Sequence, residues 1–330
     1  QLIKDIRFKY KSNNVNKFLE EVYWRIYWKG CLENKPCIWE NFISQKISNY
    51  DTEKYKKAIN GETNISYFNS WIDELKTYNY LHNHTRMWFA STWIFNLGLP
   101  WELGAKFFFK HLYDGDAASN LLSWRWVGGL QTKGKKYIFS PQNLKKFSNS
   151  RFCVKDINYR DIDLKDNFEV VFSDEIYRNN MKKSSNVLIL FENDLHEESL
   201  SNLIEKYEKV FLIELDNKDR QIKISNSVMQ FKLNLMEEFS IKFSNIEKIS
   251  SHDLNNKLNN IASVDLIYPS IGDSYDFIER FKKNNKLIVK NLVRPEDLYS
   301  WQFAKKGFFK FKENIPKINK FLEQNRMLWK

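Results

Sequence analysis

Three short stretches of this 330-residue chain gather the side chains best suited to chemistry. The densest is Asp114–Gly115–Asp116–Ala117–Ala118–Ser119–Asn120, followed by Trp124–Arg125–Trp126. Two carboxylates flank a turn glycine, and Asn120 stands four residues past the second, so the segment can offer acceptors to a ligand edge against an indole wall. The same residues also read as an ordinary turn whose aspartate caps a helix. A second stretch, His82–Asn83–His84–Thr85–Arg86–Met87–Trp88, opens a helix with Asn83 and Arg86 three residues apart, where both can face one partner. His82 and His84 are two apart and do not share a helix face, which argues against a metal pair; no metal site is expected. The third stretch sets Glu21, Trp24 and Trp28 on one helical stripe, with Arg25 one turn from Glu21. A carboxylate, an indole and a cation on one face can hold a planar base, because aromatic faces stack on bases. The plainer alternative is an amphipathic core helix with an internal Glu–Arg pair.

The elements that must position these residues follow from periodicity and punctuation. Apolar residues recur at helical spacing from Val15 to Leu32. Helices are expected at Asp51–Asn60, stopped by Gly61; at Tyr67–Tyr80; at His82–Leu97, stopped by Gly98 and Pro100; at Trp101–Leu112; and after the Asp114 turn through Trp126. No alternating strand pattern precedes residue 150, so this part is expected to be all-α. Residues 153–184 are irregular and read as a linker packed on a neighbour, with a short strand at Glu169–Phe172. Beyond them apolar runs alternate with helical periodicity. Asn186–Phe191, Val210–Leu215, Val264–Tyr268 and Lys286–Lys290 read as strands. Glu197–Tyr207, Val228–Phe239, Asp253–Ile261, Ser274–Asn284, Pro295–Lys306 and Ile315–Asn325 read as helices. That alternation predicts a Rossmann-like parallel sheet covered on both faces. The expected organisation is a helical domain over 1–152, a linker over 153–184 and an α/β domain over 185–330.

Composition divides the chain in the same way. Residues 1–152 hold 23 Lys+Arg against 13 Asp+Glu and nine of the 11 Trp, whereas the remainder is nearly neutral. A basic surface suits phosphate backbones or anionic membranes, and a Lys-rich proteome would produce the same balance. No apolar run is long enough to span a membrane. Cys31, Cys37 and Cys153 are too few for a disulfide framework, and a cytoplasmic setting is the default.

Together the segments resemble the flavin-binding helical domain of the DNA photolyase/cryptochrome superfamily. The resemblance is carried by Glu21–Val22–Tyr23–Trp24–Arg25, Gly61–Glu62–Thr63, Tyr67–Phe68–Asn69–Ser70–Trp71, Tyr80 through Met87, Trp101, Asp114 through Asn120, and Trp124–Arg125–Trp126. Their order and spacing agree over residues 15–152. The resemblance implies FAD as cofactor, with Arg25, Asn83, Arg86, Asp114 and Asp116 around it and Asn120 nearest its reactive nitrogen. It implies that Glu21, Trp24, Asn83, Met87 and Trp126 meet a pyrimidine dimer flipped out of DNA. Trp124 and Trp101 match the family's electron-relay tryptophans, and Trp39 is the candidate third. The implied activity is light-driven repair of cyclobutane pyrimidine dimers, a carbon–carbon lyase reaction, by a monomer with DNA as partner.

Departures from the family pattern keep two alternatives open: a cryptochrome-like photoreceptor without repair, and a flavin-free nucleic-acid-binding relic. The family's Ser/Thr-rich phosphate-gripping segment precedes its Glu–Trp–Arg helix; no such pattern lies before Val15, and an N-terminal truncation is the expectation. The usual run after the last Trp is replaced by Gln131–Thr132–Lys133–Gly134–Lys135–Lys136–Tyr137, whose lysines can serve phosphates or simply be solvated. The family's α/β antenna domain precedes its helical domain, whereas here an α/β pattern follows it. Phe191–Glu192–Asn193–Asp194–Leu195–His196 resembles the antenna domain's opening, with Glu192 and His196 in place of arginines. No Gly-rich phosphate loop follows the first strand, so dinucleotide binding there is unsupported and the antenna chromophore is unassigned.

Overall fold

Capping chemistry sets many of the helix boundaries. The computed structural model describes residues 2–10, 12–148, 152, 158–178, 183–285 and 287–324. Cys153 and part of the expected linker lie outside the described residues. The first half contains α1 (Leu2–Lys9), α2 (Ser12–Glu33), α3 (Cys37–Ser44), α4 (Thr52–Asn60), α5 (Ser66–Tyr78), α6 (Asn83–Ser91), α7 (Trp101–His111), α8 (Ala117–Val127) and α9 (Pro141–Phe147). Asp51 accepts from the Lys54 N–H at 2.9 Å to open α4, and Gly61, at φ 74°, closes it in the left-handed region. The expected helix over 82–97 is α6 followed by a π-turn at Thr92–Asn96, and it stops at Gly98 with φ 64°. A side chain at Gly98 is doubly excluded, because a Cβ there would lie 2.8 Å from Arg160 Nη1.

The second half alternates as expected: β1 (Val187–Phe191), α10 (Glu197–Ile204), β2 (Lys209–Glu214), α11 (Asn226–Ser240), β3 (Ile246–Ser250), α12 (Leu254–Lys257), β4 (Ser263–Ile267), α13 (Asp273–Asn284), β5 (Ile288–Leu292), α14 (Pro295–Trp301), α15 (Phe308–Lys312) and α16 (Ile315–Gln324). All strand pairs are parallel, in the order β3-β2-β1-β4-β5. Alternate residues of each inner strand feed opposite cores. Leu188, Leu190 and Leu212 pack with Leu200, Leu203 and Met236, while Ile189, Phe191, Phe211 and Leu266 pack with Leu254, Phe277 and Ile278.

Several expectations are corrected here. β3 has no continuous apolar run. It is an edge strand held by charges, with Glu247 bridging Lys209 at 2.9 Å and Lys257 at 2.5 Å, and Lys248 bridging Glu214 at 3.2 Å. β5 starts two residues later than Lys286, in the register Ser263↔Ile288. The helix expected over Asp253–Ile261 shrinks to a 3₁₀ turn at Ser251–Asp253 and one turn of α12, and that over Pro295–Lys306 stops at Trp301. Glu169–Phe172 is irregular backbone rather than a strand, and its Val171 carbonyl faces a side chain, Cys37 Sγ, at 3.6 Å.

The fold does not divide at residues 152 and 185. One compact unit comprises Gln1–Ile38, Val170–Leu215 and Met236–Lys330; the other comprises Trp39–Glu169 and Asp216–Leu235. The reason lies on α2, whose C-terminal half packs on α14 and α15 of the α/β unit. Gly30 lets the backbones close: an added Cβ would fall 2.6 Å from Trp301 Cδ1 and 2.9 Å from Ala304 Cβ. Beside it, Asn34 is buried and donates to the Trp301 carbonyl at 2.9 Å, while the Tyr177 hydroxyl donates to Asn34 Oδ1 at 3.1 Å. In the helical unit, residues 158–169 form a strap rather than a free linker. Arg160 N–H donates to the Phe95 carbonyl at 2.7 Å, and the Tyr159 hydroxyl donates to the Phe139 carbonyl.

Candidate functional site

In the helical unit, two of the three chemically dense stretches meet. Arg86, one turn into α6, has its guanidinium placed by three contacts. Nε donates to the Leu81 carbonyl at 2.7 Å, Nη1 pairs with Asp114 Oδ2 at 2.9 Å, and the Tyr80 ring lies 5.3 Å below the cation. Asn83, the first residue of α6, is exposed, and Met87 is half-buried. Asp116 caps α8 by accepting from the Ser119 N–H at 2.9 Å, so the two carboxylates of the turn divide their work: one shapes the helix and one binds the cation. Asn120, a turn into α8, is buried and donates through Nδ2 to the Ala105 carbonyl at 2.9 Å. That bond uses one of the amide's two N–H groups and leaves Oδ1 as the acceptor it can offer a ligand.

This donor set fits the ring end of a flavin. A reduced isoalloxazine carries a ring N–H, which suits an acceptor such as Asn120 Oδ1, and an anionic ring, which suits the Arg86 cation. Asp114 is half-exposed, so its pair with Arg86 is a modest surface interaction whose value is positional.

The tryptophans expected to form a relay lie on α8, α7 and α3. Trp124 is buried in α8 and its indole presses on α7 where Gly104 lacks a side chain: a Cβ there would lie 2.3 Å from Trp124 Cη2. Its tryptophan neighbour is Trp93, edge to face at 6.3 Å. Trp101 makes its ring contact with Phe42, at 5.7 Å, and Phe42 lies 6.0 Å from Trp39. Phe42 is thus a neighbour of both Trp101 and Trp39. Trp126 is half-buried and stacks on Tyr137 at 5.3 Å, so one of its faces is already taken.

The third dense stretch belongs to the α/β unit. Glu21 is exposed and lies 3.9 Å from Lys17, and Arg25 is exposed. Trp24 differs from expectation: its ring stacks on Phe308 of α15 at 3.6 Å and 9°, with Trp28 at 5.1 Å and Tyr27 at 5.6 Å. One face of Trp24 is covered by the protein's own phenyl ring, because α15, which the sequence pattern does not announce, packs on α2. At the end of α2, Glu33 is buried among groups from the sheet's carboxyl edge. It accepts from the Tyr268 hydroxyl at 2.7 Å and the Ile271 N–H at 2.9 Å. Burial pushes its carboxyl up to about 7, against the lowering effect of those two bonds and of Lys29.

Two features escape sequence reasoning. Arg125 is buried in α8 and forms a bidentate pair with Asp166, at 2.7 and 2.6 Å, which ties the strap to the helices. Asp166 lies in a segment without periodicity and gives no local signal. Trp93 does carry one, since it follows Phe89 by four residues on the inward face, but an inward indole reads as core.

Comparison with known proteins completes the picture. Residues 18–152 match the family model for the FAD binding domain of DNA photolyase. The chain is 31% identical over 151 residues to the deoxyribodipyrimidine photo-lyase of Buchnera aphidicola, a match covering 42% of this chain and 31% of that protein. It is 29% identical over 136 residues to that of Agrobacterium fabrum (39% and 28% of the two chains) and 28% identical over 136 residues to that of Thermus thermophilus (39% and 32%). The matches thus span a third or less of these relatives. No solved structure matches the chain.

Proposed function

We propose that this chain, whose residues 18–152 match the FAD binding domain of DNA photolyase, is a flavin-dependent enzyme of the photolyase/cryptochrome superfamily that repairs cyclobutane pyrimidine dimers in DNA with light. The observation that carries the reading is the Arg86–Asp114 pair, which joins two of the segments that carry the family likeness. Arg86, Asp114, Asp116, Asn120 and Asn83 hold FAD by its ring end. When bound, the photo-excited reduced flavin supplies an electron that splits the cyclobutane ring and then returns. The chain's part is position and charge. Asn120 Oδ1 accepts from the ring, Arg86 balances its negative charge, Met87 and the open face of Trp126 bound the lesion pocket, and the lysines at 133, 135 and 136 meet flanking phosphates. The protein acts as a cytoplasmic monomer.

A second reading, a blue-light photoreceptor that binds flavin without repair, is favoured by the stacking of Trp24 on Phe308 and of Trp126 on Tyr137. One experiment separates them. The full chain is loaded with FAD, reduced, and illuminated with blue light in the presence of an oligonucleotide carrying one thymine dimer. Repair predicts loss of the dimer in light and not in darkness. A yellow protein that leaves the dimer intact under light overturns the repair reading and supports the photoreceptor.

A further inference from the structure

Three exposed rings stand in a row on the helical unit where α6 begins. The His82 and His84 imidazoles are nearly parallel, with centres 5.5 Å apart and planes 9° apart, and His84 lies in the same way on Phe147 of α9, at 5.6 Å and 17°. Both histidines are exposed, and Phe147 keeps 57% of its surface open to solvent. Trp88, buried one turn further along α6, backs the row at 6.1 Å from His84 and 6.4 Å from Phe147. Leu144 is buried and seats α9, while Lys145 and Lys146 stay on the solvent side beside Phe147. We infer that this row is a stacking surface for an unpaired base of a DNA strand. The inference rests on DNA as the partner, as read above, and adds which form of DNA the chain prefers and where it is held.

Three observations support it. An open phenyl ring is unfavourable in water, and a base laid on it removes that apolar face from solvent. Every base has such a face, so the contact works for any sequence. The charge beside the rings has the matching sign. Lys145 and Lys146 are exposed, and the Lys146 ammonium lies 5.4 Å from the centre of the Phe147 ring, so a cation for a phosphate stands next to a ring for its base. The position is also apt. Asn83, a member of the candidate site, lies between the two histidines in the chain and is itself exposed, so a strand held on the row runs beside that site.

The geometry selects single strands. In a duplex the neighbouring base pairs cover both faces of each base, so the rings can engage only a base that has left the stack. The lysines make no such distinction, because phosphates are presented by both forms. A lipid surface is the other partner that lysines around a phenyl ring suit. It is disfavoured by the two imidazoles, whose ring nitrogens lose hydrogen bonds in hydrocarbon.

The test titrates the full chain against an undamaged, dye-labelled oligothymidine, alone and paired with its complement, and reads fluorescence anisotropy at several salt concentrations. Phe147→Ala is expected to weaken single-strand binding by about 5-fold or more and duplex binding by less than about 2-fold, with Phe147→Trp restoring the native affinity. Replacing Lys145 and Lys146 together by Ala should weaken both forms and lower the salt slope by about 1. An iodouracil base in the single strand, irradiated in the near ultraviolet, should crosslink to Phe147 or His84, mapped by mass spectrometry. Single-strand affinity that Phe147→Ala leaves unchanged, or equal losses for both forms, overturns the proposal, and so does crosslinking confined to other parts of the chain. Binding to phosphatidylserine vesicles that Phe147→Ala abolishes, with single-strand affinity untouched, overturns it in favour of a lipid surface. Lesion-free DNA keeps the outcome separate from repair. A chain that repairs no dimer but loses single-strand affinity in Phe147→Ala keeps the stacking surface, and one that repairs dimers with an inert Phe147 loses it.

Discussion

The anchor at the end of α2 makes a quantitative prediction about pH. Glu33 is the last residue of α2, where the helix dipole already disfavours a negative charge, and it is buried against the carboxyl edge of the sheet. The groups facing it are Tyr268, Lys29, Asp297 and the Ile271 N–H; Tyr177 and Tyr275 also feel its charge. Its carboxyl rises from 4.5 to about 7 on folding, burial being the main cause. A group raised in the folded state contributes stability that is complete below its unfolded value and is lost as the pH climbs through its folded value. The folded protein therefore loses up to about 3 kcal/mol between about pH 4.5 and pH 8, because each tenfold change in proton affinity is worth about 1.4 kcal/mol. Asp297, pushed up to about 6 by the same burial, works in the same direction. Glu33→Gln isolates the Glu33 share. The amide is isosteric, its Oε1 can still accept from Ile271, and its N–H can donate to a rotated Tyr268 hydroxyl. Urea unfolding followed by tryptophan fluorescence across that range is expected to show the substituted protein gaining on the native one as the pH rises, by roughly 2–3 kcal/mol at the alkaline end. A difference that stays flat with pH, or grows toward acid, refutes the claim that Glu33 is buried as a strained charge.

Other expectations follow from the same geometry. Asp166→Asn strips the buried Arg125 of its bidentate partner and should lower stability by about 3–5 kcal/mol, read from the denaturation midpoint. Gly104→Ala drives a methyl into Trp124 and Trp93 and should cost about 1–3 kcal/mol, with a shifted tryptophan emission spectrum as the direct sign that the indole has moved. Arg86→Ala and Asp114→Ala should each weaken FAD binding measured by equilibrium dialysis, and the double variant should lose less than the sum, because the pair acts as a unit. Phe308→Ala uncovers one face of Trp24, so quenching of tryptophan fluorescence by acrylamide should rise if that stack is what shields the indole.

Which of these features were legible without coordinates follows from the range of the interactions involved. The helix starts at Asp51 and Asp116 and the stops at Gly61 and Gly98 depend on contacts within a few residues, so they stand in the linear pattern. The buried strands β1, β2 and β4 are apolar runs because both their faces are covered, and that too is a local signature. The Arg86–Asp114 pair was approachable because two unusual motifs each carried half of it. β3 was not, since an edge strand held by lysine–glutamate bridges has no apolar run to announce it. Nor was the fate of Trp24, whose partner Phe308 lies 284 residues along the chain, or the pairing of Arg125 with Asp166 from an irregular strap. The residue types and their order thus set the chemistry on offer and the kinds of elements that carry it. Which aromatic ring faces a ligand, which is spent on packing and which neighbours a second redox-active ring depends on side-chain packing between distant segments. That packing responds to shape and volume in three dimensions, and spacing along the chain does not encode it.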